Sequence, residues 1–340
     1  MGSSQPHTVR WGVLGNATIA RKCVIPAICK SENARVRALA TRAPQKAEKL
    51  AEENHIERLY DHYEAVLTDS EVDAVYIPLP NHLHHSWTLK ALKAGKHVLC
   101  EKPLACDAAQ AREMAAAAAD AGRLLMEAFM YRFHPRSRQI RQMLREGTIG
   151  QPLLIRSAFC YSMEKQVLQK GTNFRLQRQT GGGALLDVGC YGVSLARWLY
   201  DAEPVSVQAQ SVCGPTGVDV HFAALLRFPG SALATVEASF VSALQQTYSV
   251  ICSNGAVELP HDAFIPWEKD AAFTIRGPAE EQGQVHVVAG ADEYQLMVEH
   301  FSRSVLGECP LDVEPAESVR NMVALDALTQ AAQTGKTVEL

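Results

Sequence analysis

A lysine at the end of a predicted strand is the first side chain whose type and position suggest chemistry. Lys102 lies in the tripeptide Glu101-Lys102-Pro103, which follows an apolar run that we predict to be a buried strand. Open parallel sheets bind ligands at the carboxyl ends of their strands, where an ammonium can lie beside a reacting oxygen. The following proline would fix the loop, and its peptide bond is a candidate for the cis form. The alternative is a solvated lysine before a proline turn.

An aspartate and a tyrosine on one predicted helix form a second candidate pair. Segment 181–191 opens with three glycines and continues into a helical pattern, in which Asp187 and Tyr191 are four residues apart and share one face. A phenol, with its ordinary pKa of about 10, is a poor base near neutrality, but a nearby ammonium lowers that pKa. Tyr191 beside Lys102 could therefore exchange a proton with a reacting oxygen. Alternatively, Tyr191 packs at a domain boundary with its hydroxyl bonded to Asp187.

The first predicted strand ends in a turn of small residues, Gly15-Asn16-Ala17-Thr18-Ile19-Ala20. A dinucleotide-binding turn uses three glycines, which allow a tight turn, close approach of the pyrophosphate and helix–strand packing. This chain has glycine at the first place and alanine at the other two. Free amides at the helix start, around Ala17, Thr18 and Ile19, would hold the phosphates. A strand-to-helix turn without a ligand is the alternative.

The residues after the second predicted strand indicate which dinucleotide would bind. An NAD site usually has Asp or Glu there to bond the ribose 2′-hydroxyl. This chain has Thr41 and Arg42, and a guanidinium binds a phosphate with two charge-assisted hydrogen bonds. The pair therefore favours NADP, with a surface arginine that opens a loop as the alternative.

Three histidines, His82, His84 and His85, lie close together directly after Asn81, around the start of a helical pattern at Leu83. On a helix the three side chains point in different directions, and no Asp, Glu or Cys accompanies them at the spacing of metal ligands. We therefore predict no metal site. A helix that starts at Asn81, with one histidine facing the cofactor, is the preferred interpretation.

Apolar periodicity predicts the elements that would position these groups. Over residues 1–130, short apolar runs alternate with helical patterns, which indicates a doubly wound parallel sheet and a Rossmann domain. Its strands are expected at 9–14, 34–40, 74–77, 97–100 and 124–128, and its helices at 44–53, 63–68, 83–94 and 107–121. A further helix is expected after this domain, at 135–146.

Strand-like runs dominate residues 131–340. The dipeptides Pro229-Gly230 and Asn254-Gly255 are typical of hairpin turns. We therefore expect a second, α/β domain with a mainly antiparallel sheet and a last helix that can pack back on the first domain. Its strands are expected at 153–160, 205–212, 218–227, 232–240, 247–252 and 257–259, and helices at 185–199, 294–306 and 318–333.

Composition and charge exclude several classes of protein. The chain has 340 residues, 47% hydrophobic and 21% charged, with a net charge of −4, which suits a globular protein of two domains. No basic stripe suggests nucleic acid, and no apolar run is long enough for a membrane. The nine cysteines form no C-x-x-C pair, which favours reduced, mostly buried thiols. Residues 1–8 lack a signal architecture and suggest a short disordered leader, so we expect a cytoplasmic protein.

Several segments together resemble the Gfo/Idh/MocA oxidoreductases, a family named after glucose–fructose oxidoreductase, inositol dehydrogenase and a rhizopine-catabolism protein. The resemblance covers essentially the whole chain. The segments that carry it are 11–15 (WGVLG), 77–81 (IPLPN) with His84, 95–103 (GKHVLCEKP), 126–135 (MEAFMYRFHP) and 181–191 (GGGALLDVGCY).

The resemblance implies a Rossmann domain followed by an α/β domain with a large open sheet that often forms dimer contacts. A homodimer or a dimer of dimers is therefore expected. The resemblance also implies that Lys102 is catalytic. It implies cofactor contacts at Gly15, Ala17, Thr41, Arg42, Pro78, Asn81, His84 and Glu101. Leu79 and Lys102 are expected to contact the cofactor as well.

Tyr191 indicates a branch within the family. Many members, including inositol dehydrogenases, have histidine there, whereas this chain is similar to glucose–fructose oxidoreductase, the dimeric trans-dihydrodiol dehydrogenases and the NADP-linked xylose dehydrogenases. In that branch the tyrosine is the general acid/base, and Asp187 would orient the substrate or the tyrosine. This chain departs from the pattern of that branch in two ways. Its glycine fingerprint is reduced to Gly15. The long leader of glucose–fructose oxidoreductase is missing, so a non-exchanging cofactor is not expected.

We therefore expect an NADP-dependent oxidoreductase that moves hydride between nicotinamide and a hydroxyl or carbonyl carbon of a sugar, such as D-xylose or D-glucose, or of a trans-dihydrodiol. Weaker candidates for substrate contacts are Arg132, Phe159, Asn173 and Arg175. The alternatives are a reductase of a dicarbonyl or anhydro-sugar, a sugar epimerase or lyase that uses the cofactor transiently, and a regulator that senses NADP without turnover. The joint presence of Lys102, Asp187 and Tyr191 argues against the regulator.

Overall fold

A computed structural model describes residues 8–340, so the predicted leader, apart from Thr8, lies outside the described residues. The chain divides into two units. The first contains residues 8–105, 109–130 and 292–319, and the second contains residues 106–108, 131–291 and 320–340. Residues 292–319 thus belong to the first unit, whereas the sequence analysis placed them in the second domain.

A parallel sheet forms the centre of the first unit. Its strands are β1 (Val9–Leu14), β2 (Ala34–Ala40), β3 (Arg58–Tyr60), β4 (Ala74–Ile77), β5 (His97–Cys100) and β6 (Leu125–Glu127). They lie in the order β3-β2-β1-β4-β5-β6, and every neighbouring pair is parallel. The predicted doubly wound sheet is confirmed. The order reverses between β1 and β4, which is where such sheets bind ligands.

Strand β3 was not predicted. It has three half-buried residues at the sheet edge, so it has no apolar run that periodicity can detect. The strand matters for the loop after β2, because the Thr41 amide donates to the Tyr60 carbonyl at 2.9 Å.

Helices connect and flank the strands of both units. In chain order they are α1 (Ile25–Lys30), α2 (Glu48–Glu53), α3 (Tyr63–Thr68), α4 (Asn81–Lys93), α5 (Ala108–Ala121), α6 (Pro135–Arg145), α7 (Lys165–Lys170), α8 (Cys190–Tyr200), α9 (Glu293–Val305) and α10 (Pro315–Thr334). Helix α7 was not predicted. The helix predicted at 185–199 is a π-helical turn, Leu185–Gly189, followed by α8, and a second π-helical turn, Ala20–Val24, precedes α1.

Helix α9 explains why residues 292–319 belong to the first unit. The indole Nε1 of Trp11 donates to Ser302 at 3.2 Å, and the Trp11 ring lies 5.4 Å from the ring of Phe301. The amide of the Asn33 side chain donates to the Glu299 carbonyl at 3.0 Å. These contacts bury the apolar face of α9 against β1 and its neighbours.

The second unit contains a larger sheet. Its strands are β7 (Pro152–Ser162), β8 (Ser206–Cys213), β9 (Asp219–Arg227), β10 (Leu233–Ser239), β11 (Val241–Cys252), β12 (Gly255–Leu259), β13 (Ala271–Arg276), β14 (Gln284–Val288) and β15 (Val338–Glu339). The order is β14-β13-β12-β11-β7-β10-β9-β8-β15. Among the described strands of this sheet, only β7 and β10 pair in parallel, so the predicted mainly antiparallel sheet is confirmed.

Three strands of this sheet and the first half of another were missed. Strand β14 is an edge strand whose Val285 and Val287 are both more than 60% exposed, and β15 has two residues. Strand β11 begins at Val241, before the predicted start at 247, and its early residues are largely exposed. Strands β14 and β15 and the start of β11 therefore lack the alternation of buried and exposed positions on which the prediction depended. The third missed strand, β13, begins with alternating buried and half-buried residues, and that short pattern was overlooked.

Among the described residues no helix has the length and apolar character needed to cross a membrane. The cysteines are all free thiols, and five are buried: Cys23, Cys100, Cys160, Cys190 and Cys252.

Candidate active site

Gly15 directly follows β1 at the edge of the sheet where the strand order reverses. Its φ of +118° lies in a region that L side chains rarely adopt, and a Cβ there would lie 3.0 Å from Leu79 Cδ2. The Gly15 amide donates to the Ala40 carbonyl at 2.8 Å. The turn therefore requires glycine, and it presents bare backbone at the position where a pyrophosphate would approach.

A helix starts directly after this turn. The Arg21 amide donates to the Ala17 carbonyl at 3.0 Å, so the first helical turn begins at Ala17. Helices offer no acceptor of their own to the amides of the first turn, here those of Thr18 and Ile19. Thr18 is exposed, and Ala17 and Ile19 are half-buried. The segment can therefore bind phosphate oxygens, as the sequence analysis expected.

The two positions after β2 present a hydroxyl and a cation. Thr41 is buried and Arg42 is exposed. The Tyr63 hydroxyl lies 3.7 Å from the position of a Cβ on Gly15. Burial raises the pKa of Tyr63, and the nearby Arg42 charge partly offsets this effect. A neutral phenol thus lies near both Arg42 and the Gly15 turn.

His84, on α4, ties two loops together. Its Nδ1 lies 2.9 Å from the Pro103 carbonyl oxygen, and its Nε2 lies 2.7 Å from the Leu79 carbonyl oxygen. The side chain is fully buried, and this burial lowers the pKa of His84 to about 4 against the opposing effect of the two carbonyls. His84 therefore holds the loops after β4 and β5 in place, and its contact with the cofactor stays a prediction.

The neighbouring predicted residues lie on the same segment. Pro78 and Leu79 are buried after β4, and Asn81 is the half-buried first residue of α4. His82 is exposed, and His85 Nε2 lies 2.8 Å from a Glu113 carboxylate oxygen. Within residues 8–340 no three His, Cys, Asp or Glu side chains are arranged to hold a metal ion.

Acid should destabilise the fold through His84. Because its folded pKa of about 4 is below the ordinary value of about 6.5, the stabilisation is complete above pH ~6.5 and is lost as the pH falls towards 4. His84→Gln should therefore flatten the pH dependence of the unfolding free energy in this window, by up to about 3 kcal/mol. Urea unfolding at several pH values measures the slope. A wild-type slope in His84→Gln would contradict the assignment.

Glu101 and Lys102 follow β5 at the same edge of the sheet. Glu101 Oε1 accepts a hydrogen bond from the Tyr76 hydroxyl at 2.5 Å, and Oε2 accepts one from the Lys102 amide at 3.3 Å. The Lys102–Pro103 peptide bond is cis, and the Lys102 side chain is half-buried. The sheet thus places Lys102 at the carboxyl end of a strand two places from β1.

In the second unit, Asp187 has a fixed carboxylate. The Tyr161 hydroxyl donates to Oδ2 at 2.9 Å, and Arg175 Nε donates to Oδ1 at 2.9 Å. The glycine run allows this approach, because a Cβ on Gly182 would lie 2.5 Å from the Arg175 carbonyl oxygen. Burial, and secondly the Asp187 charge, raise the pKa of Tyr161, which keeps its proton and remains a donor.

Tyr191 is held by aromatic packing. Its ring centroid lies 5.3 Å from that of Phe159, 5.4 Å from that of Phe264 and 6.0 Å from that of Tyr131. Only 4% of the residue is exposed. These contacts restrict the ring, so the position of the phenolic oxygen is determined by packing.

The weaker candidates fall into two groups around these residues. Asn173 Oδ1 accepts a hydrogen bond from the Arg175 amide at 3.0 Å and so caps the 3₁₀ turn Phe174–Leu176. This turn contains Arg175, which is bonded to Asp187. Phe159 stacks on Phe264 with centroids 5.6 Å apart and contacts Tyr191. Asn173 and Arg175 therefore belong with Asp187, and Phe159 belongs with Tyr191.

Arg132 has a different setting. It is 3% exposed, and its Nη2 donates to the Ser194 hydroxyl at 2.6 Å and to the Ser194 carbonyl at 3.3 Å. Its guanidinium also lies 5.6 Å from the Trp198 ring. These contacts brace α8, and a substrate contact of Arg132 stays a prediction.

Family models match both units. A model described as an oxidoreductase family with an NAD-binding Rossmann fold matches residues 9–129, and the GFO/IDH/MocA C-terminal domain matches residues 137–258. The chain belongs to the Gfo/Idh/MocA oxidoreductase family. The resemblance deduced from the motifs is confirmed, and this Gfo/Idh/MocA protein is an oxidoreductase with a dinucleotide-binding domain.

Named relatives and a solved structure match three quarters or more of the chain. A D-xylose 1-dehydrogenase (NADP(+)) from Haloferax volcanii is 37% identical over 97% of this chain and 99% of its own length. A trans-1,2-dihydrobenzene-1,2-diol dehydrogenase from Xenopus tropicalis is 31% identical over 76% of this chain and 77% of its own. The crystal structure of a 3-ketoreductase from Actinomadura kijaniata, with NADP and TDP-benzene, is 31% identical, with a TM-score of 0.86 over 96% of this chain and 98% of that one.

Three tyrosines of this Gfo/Idh/MocA protein were missed by the sequence analysis. Tyr76 and Tyr161 each bond a candidate carboxylate, 25 and 26 residues away in sequence. Tyr63 lies near Arg42 and the Gly15 turn. A single sequence carries no signal for such pairings, because they depend on how separate strands and loops are brought together.

Proposed function

We propose that this protein is an NADP-dependent oxidoreductase that transfers a hydride between the nicotinamide and a hydroxyl or carbonyl carbon of a sugar or a trans-dihydrodiol. The observation that carries the proposal is one sheet edge on which the Gly15 turn, the exposed Arg42 and Lys102 follow three strands. The names of the xylose and dihydrodiol dehydrogenases support the substrate class. The NADP in the ketoreductase structure supports the cofactor.

The residues of this edge fit NADP. The bare backbone of Gly15 and the first-turn amides of Thr18 and Ile19 would hold the pyrophosphate. Thr41 and Arg42 offer a hydroxyl and a guanidinium to a 2′-phosphate, where an acidic side chain would instead repel it. Pro78, Leu79 and Asn81 are proposed as further contacts from the loop after β4.

Each candidate residue then has a distinct role. When bound, the cofactor supplies or accepts the hydride. The Lys102 ammonium polarises the substrate oxygen, and the Tyr191 phenol gives that oxygen a proton during reduction and takes it back during oxidation. The Asp187 carboxylate, already fixed by Arg175 and Tyr161, accepts a hydrogen bond from a substrate hydroxyl and orients it.

A steady-state assay tests the proposal. NADP⁺ reduction is measured with D-xylose, D-glucose and a trans-dihydrodiol, and substrate deuterated at the reacting carbon should transfer its label to the nicotinamide. NADP binding without any turnover would overturn the proposal and favour a sensing regulator. An isomerised or cleaved sugar without net NADPH would instead indicate an epimerase or lyase.

Reduction of a dicarbonyl or an anhydro-sugar is the second candidate. The likeness to a 3-ketoreductase favours it, because the same lysine and tyrosine serve the reverse direction. NADPH oxidation with 1,5-anhydro-D-fructose and with a simple dicarbonyl measures this activity. If kcat/KM for one of these carbonyl substrates exceeds that for every aldose and diol, carbonyl reduction is the preferred function.

Arg42→Ala should change the choice of cofactor. Loss of charge-assisted hydrogen bonds to the 2′-phosphate should raise the KM for NADP by about 10- to 100-fold, while the KM for NAD changes by less than about threefold. Arg35→Ala removes an exposed arginine from the other end of β2 and should leave both constants unchanged. An equal loss for NADP and NAD in Arg42→Ala would contradict the assigned contact.

A further inference from the structure

The Glu101 carboxylate is used inside the first unit. One oxygen accepts from the buried Tyr76 hydroxyl at 2.5 Å, and the other accepts from the backbone amide of Lys102 at 3.3 Å. The Glu101 amide itself donates to the Ile77 carbonyl at 3.2 Å, at the end of the β4–β5 ladder. Glu101 thus connects Tyr76, which lies within the buried strand β4, to Lys102, the residue that follows Glu101.

Tyr76 is well placed to hold this carboxylate still. It lies on β4, is completely buried, and its backbone is in register with Val13 of β1 and Leu99 of β5. A tyrosine fixed between two neighbouring strands has almost no freedom to move its hydroxyl. The hydrogen bond therefore transfers the rigidity of the sheet to the side chain of Glu101.

The Glu101 charge also acts on the Cys23 thiol of the π-helical turn before α1, the Cys100 thiol of β5 and the Tyr294 phenol of α9. The Glu293 charge acts on Cys23 and Tyr294 as well. Burial raises the pKa of Cys23 to about 11, and burial raises the pKa values of Tyr76 and Tyr294 well above the ordinary value. Around neutral pH these three groups stay protonated, so Tyr76 remains a hydrogen-bond donor to Glu101.

The loop is restrained on the other side of Lys102 as well. His84 contacts the Pro103 carbonyl at 2.9 Å, directly after the lysine. Lys102 therefore lies between two restrained residues. Glu101 before it is bonded to Tyr76 of β4, and Pro103 after it contacts His84 of α4. Catalytic groups need such support, because a displacement of about 1 Å can cost about 100-fold in rate.

We propose that Tyr76 is a positioning residue for the reaction and that it acts through Glu101. In this assignment the Glu101 carboxylate fixes the Lys102 backbone and thereby the direction of the Lys102 ammonium. It takes this role in place of the cofactor contact that the sequence predicted. The inference rests on the proposed function, because it concerns the lysine to which that function gives the central role.

The first test is Tyr76→Phe, which removes one hydroxyl and keeps the ring. The expected result is a kcat about 10- to 100-fold lower, with the Kd for NADP changed by less than about threefold. Tyr60→Phe is the matched control, since it removes a tyrosine–carboxylate hydrogen bond, to Asp69 at 3.2 Å, from β3 of the same sheet. It should leave kcat unchanged. Equal kcat values for wild type and Tyr76→Phe would overturn the proposal.

A double-mutant cycle with Glu101→Gln separates positioning from general damage. If Tyr76 acts through Glu101, the Tyr76→Phe/Glu101→Gln double variant should be no slower than Glu101→Gln alone. Multiplied losses would overturn the inference, and NADP titration of each variant verifies that the Rossmann unit is still folded.

The pH dependence of kcat distinguishes a positioning role of Tyr76 from a general loss of stability, because a loss of stability alone does not shift it. A hydroxyl that donates to a carboxylate favours its ionised form, so removal of the hydroxyl raises the pKa of Glu101. The acidic limb of kcat should therefore shift to higher pH in Tyr76→Phe and stay in place in Tyr60→Phe. An unshifted limb counts against the proposal. Absence of turnover in the wild type would instead refute the proposed function itself.

Discussion

Lys102→Met is expected to lower kcat/KM by about 10³-fold while the Kd for NADP stays within about threefold of wild type. Methionine has nearly the length of lysine but no charge, so the half-buried loop after β5 keeps its packing and loses only the ammonium. The loss should appear mainly in kcat, because the charge is needed most when negative charge develops on the substrate oxygen. Steady-state kinetics and a fluorescence titration with NADPH measure the two quantities.

Lys93→Met is the matched control for this prediction. Lys93 is an exposed residue in the last turn of α4, and the same substitution there should leave kcat/KM unchanged. Lys102→Arg keeps a cation with a wider, planar head and should recover only part of the rate. A Lys102→Met enzyme with near-normal turnover would remove this lysine from the mechanism.

The parts of the fold that sequence predicted well are those that are buried on both sides. Strands β1, β4 and β5 are short apolar runs enclosed by the rest of the unit, and their bounds agree with the prediction. Strands β3 and β14 were missed, because edge strands with exposed or half-buried residues carry no apolar pattern. The π-helical turn before α8 was missed as well, since residue spacing alone does not distinguish it from a regular helical turn.

The location of a site residue was predictable where its position after a strand determines where it lies in the fold. Gly15, Arg42 and Lys102 each follow a parallel strand, and the carboxyl ends of such strands share one edge of the sheet. The direction of a side chain was not predictable. His84 turns inward to two carbonyls, and the Glu101 carboxylate is bonded by Tyr76. Both outcomes depend on loops that come together only in the folded chain.

Tyr191→Phe is expected to lower kcat by about 10²- to 10⁴-fold, because the phenol is the group that we propose exchanges a proton with the substrate oxygen. The change keeps the ring contacts with Phe159 and Phe264, so the melting temperature should be close to that of wild type. Tyr161 cannot replace it, since its hydroxyl is committed to Asp187 and burial raises its pKa. Single-turnover kinetics with bound NADP, combined with thermal melting, measure both effects.

Tyr131→Phe provides the control within the same aromatic cluster. The Tyr131 hydroxyl lies 2.9 Å from the Ser194 hydroxyl, so its removal should cost about 1 kcal/mol of stability and leave kcat within about threefold. If Lys102 and Tyr191 act on the same substrate oxygen, their losses should not multiply, because groups that act as a unit are strongly non-additive. The Lys102→Met/Tyr191→Phe enzyme should then be hardly slower than the worse single variant. Fully multiplied losses would mean that the lysine and the tyrosine serve separate steps.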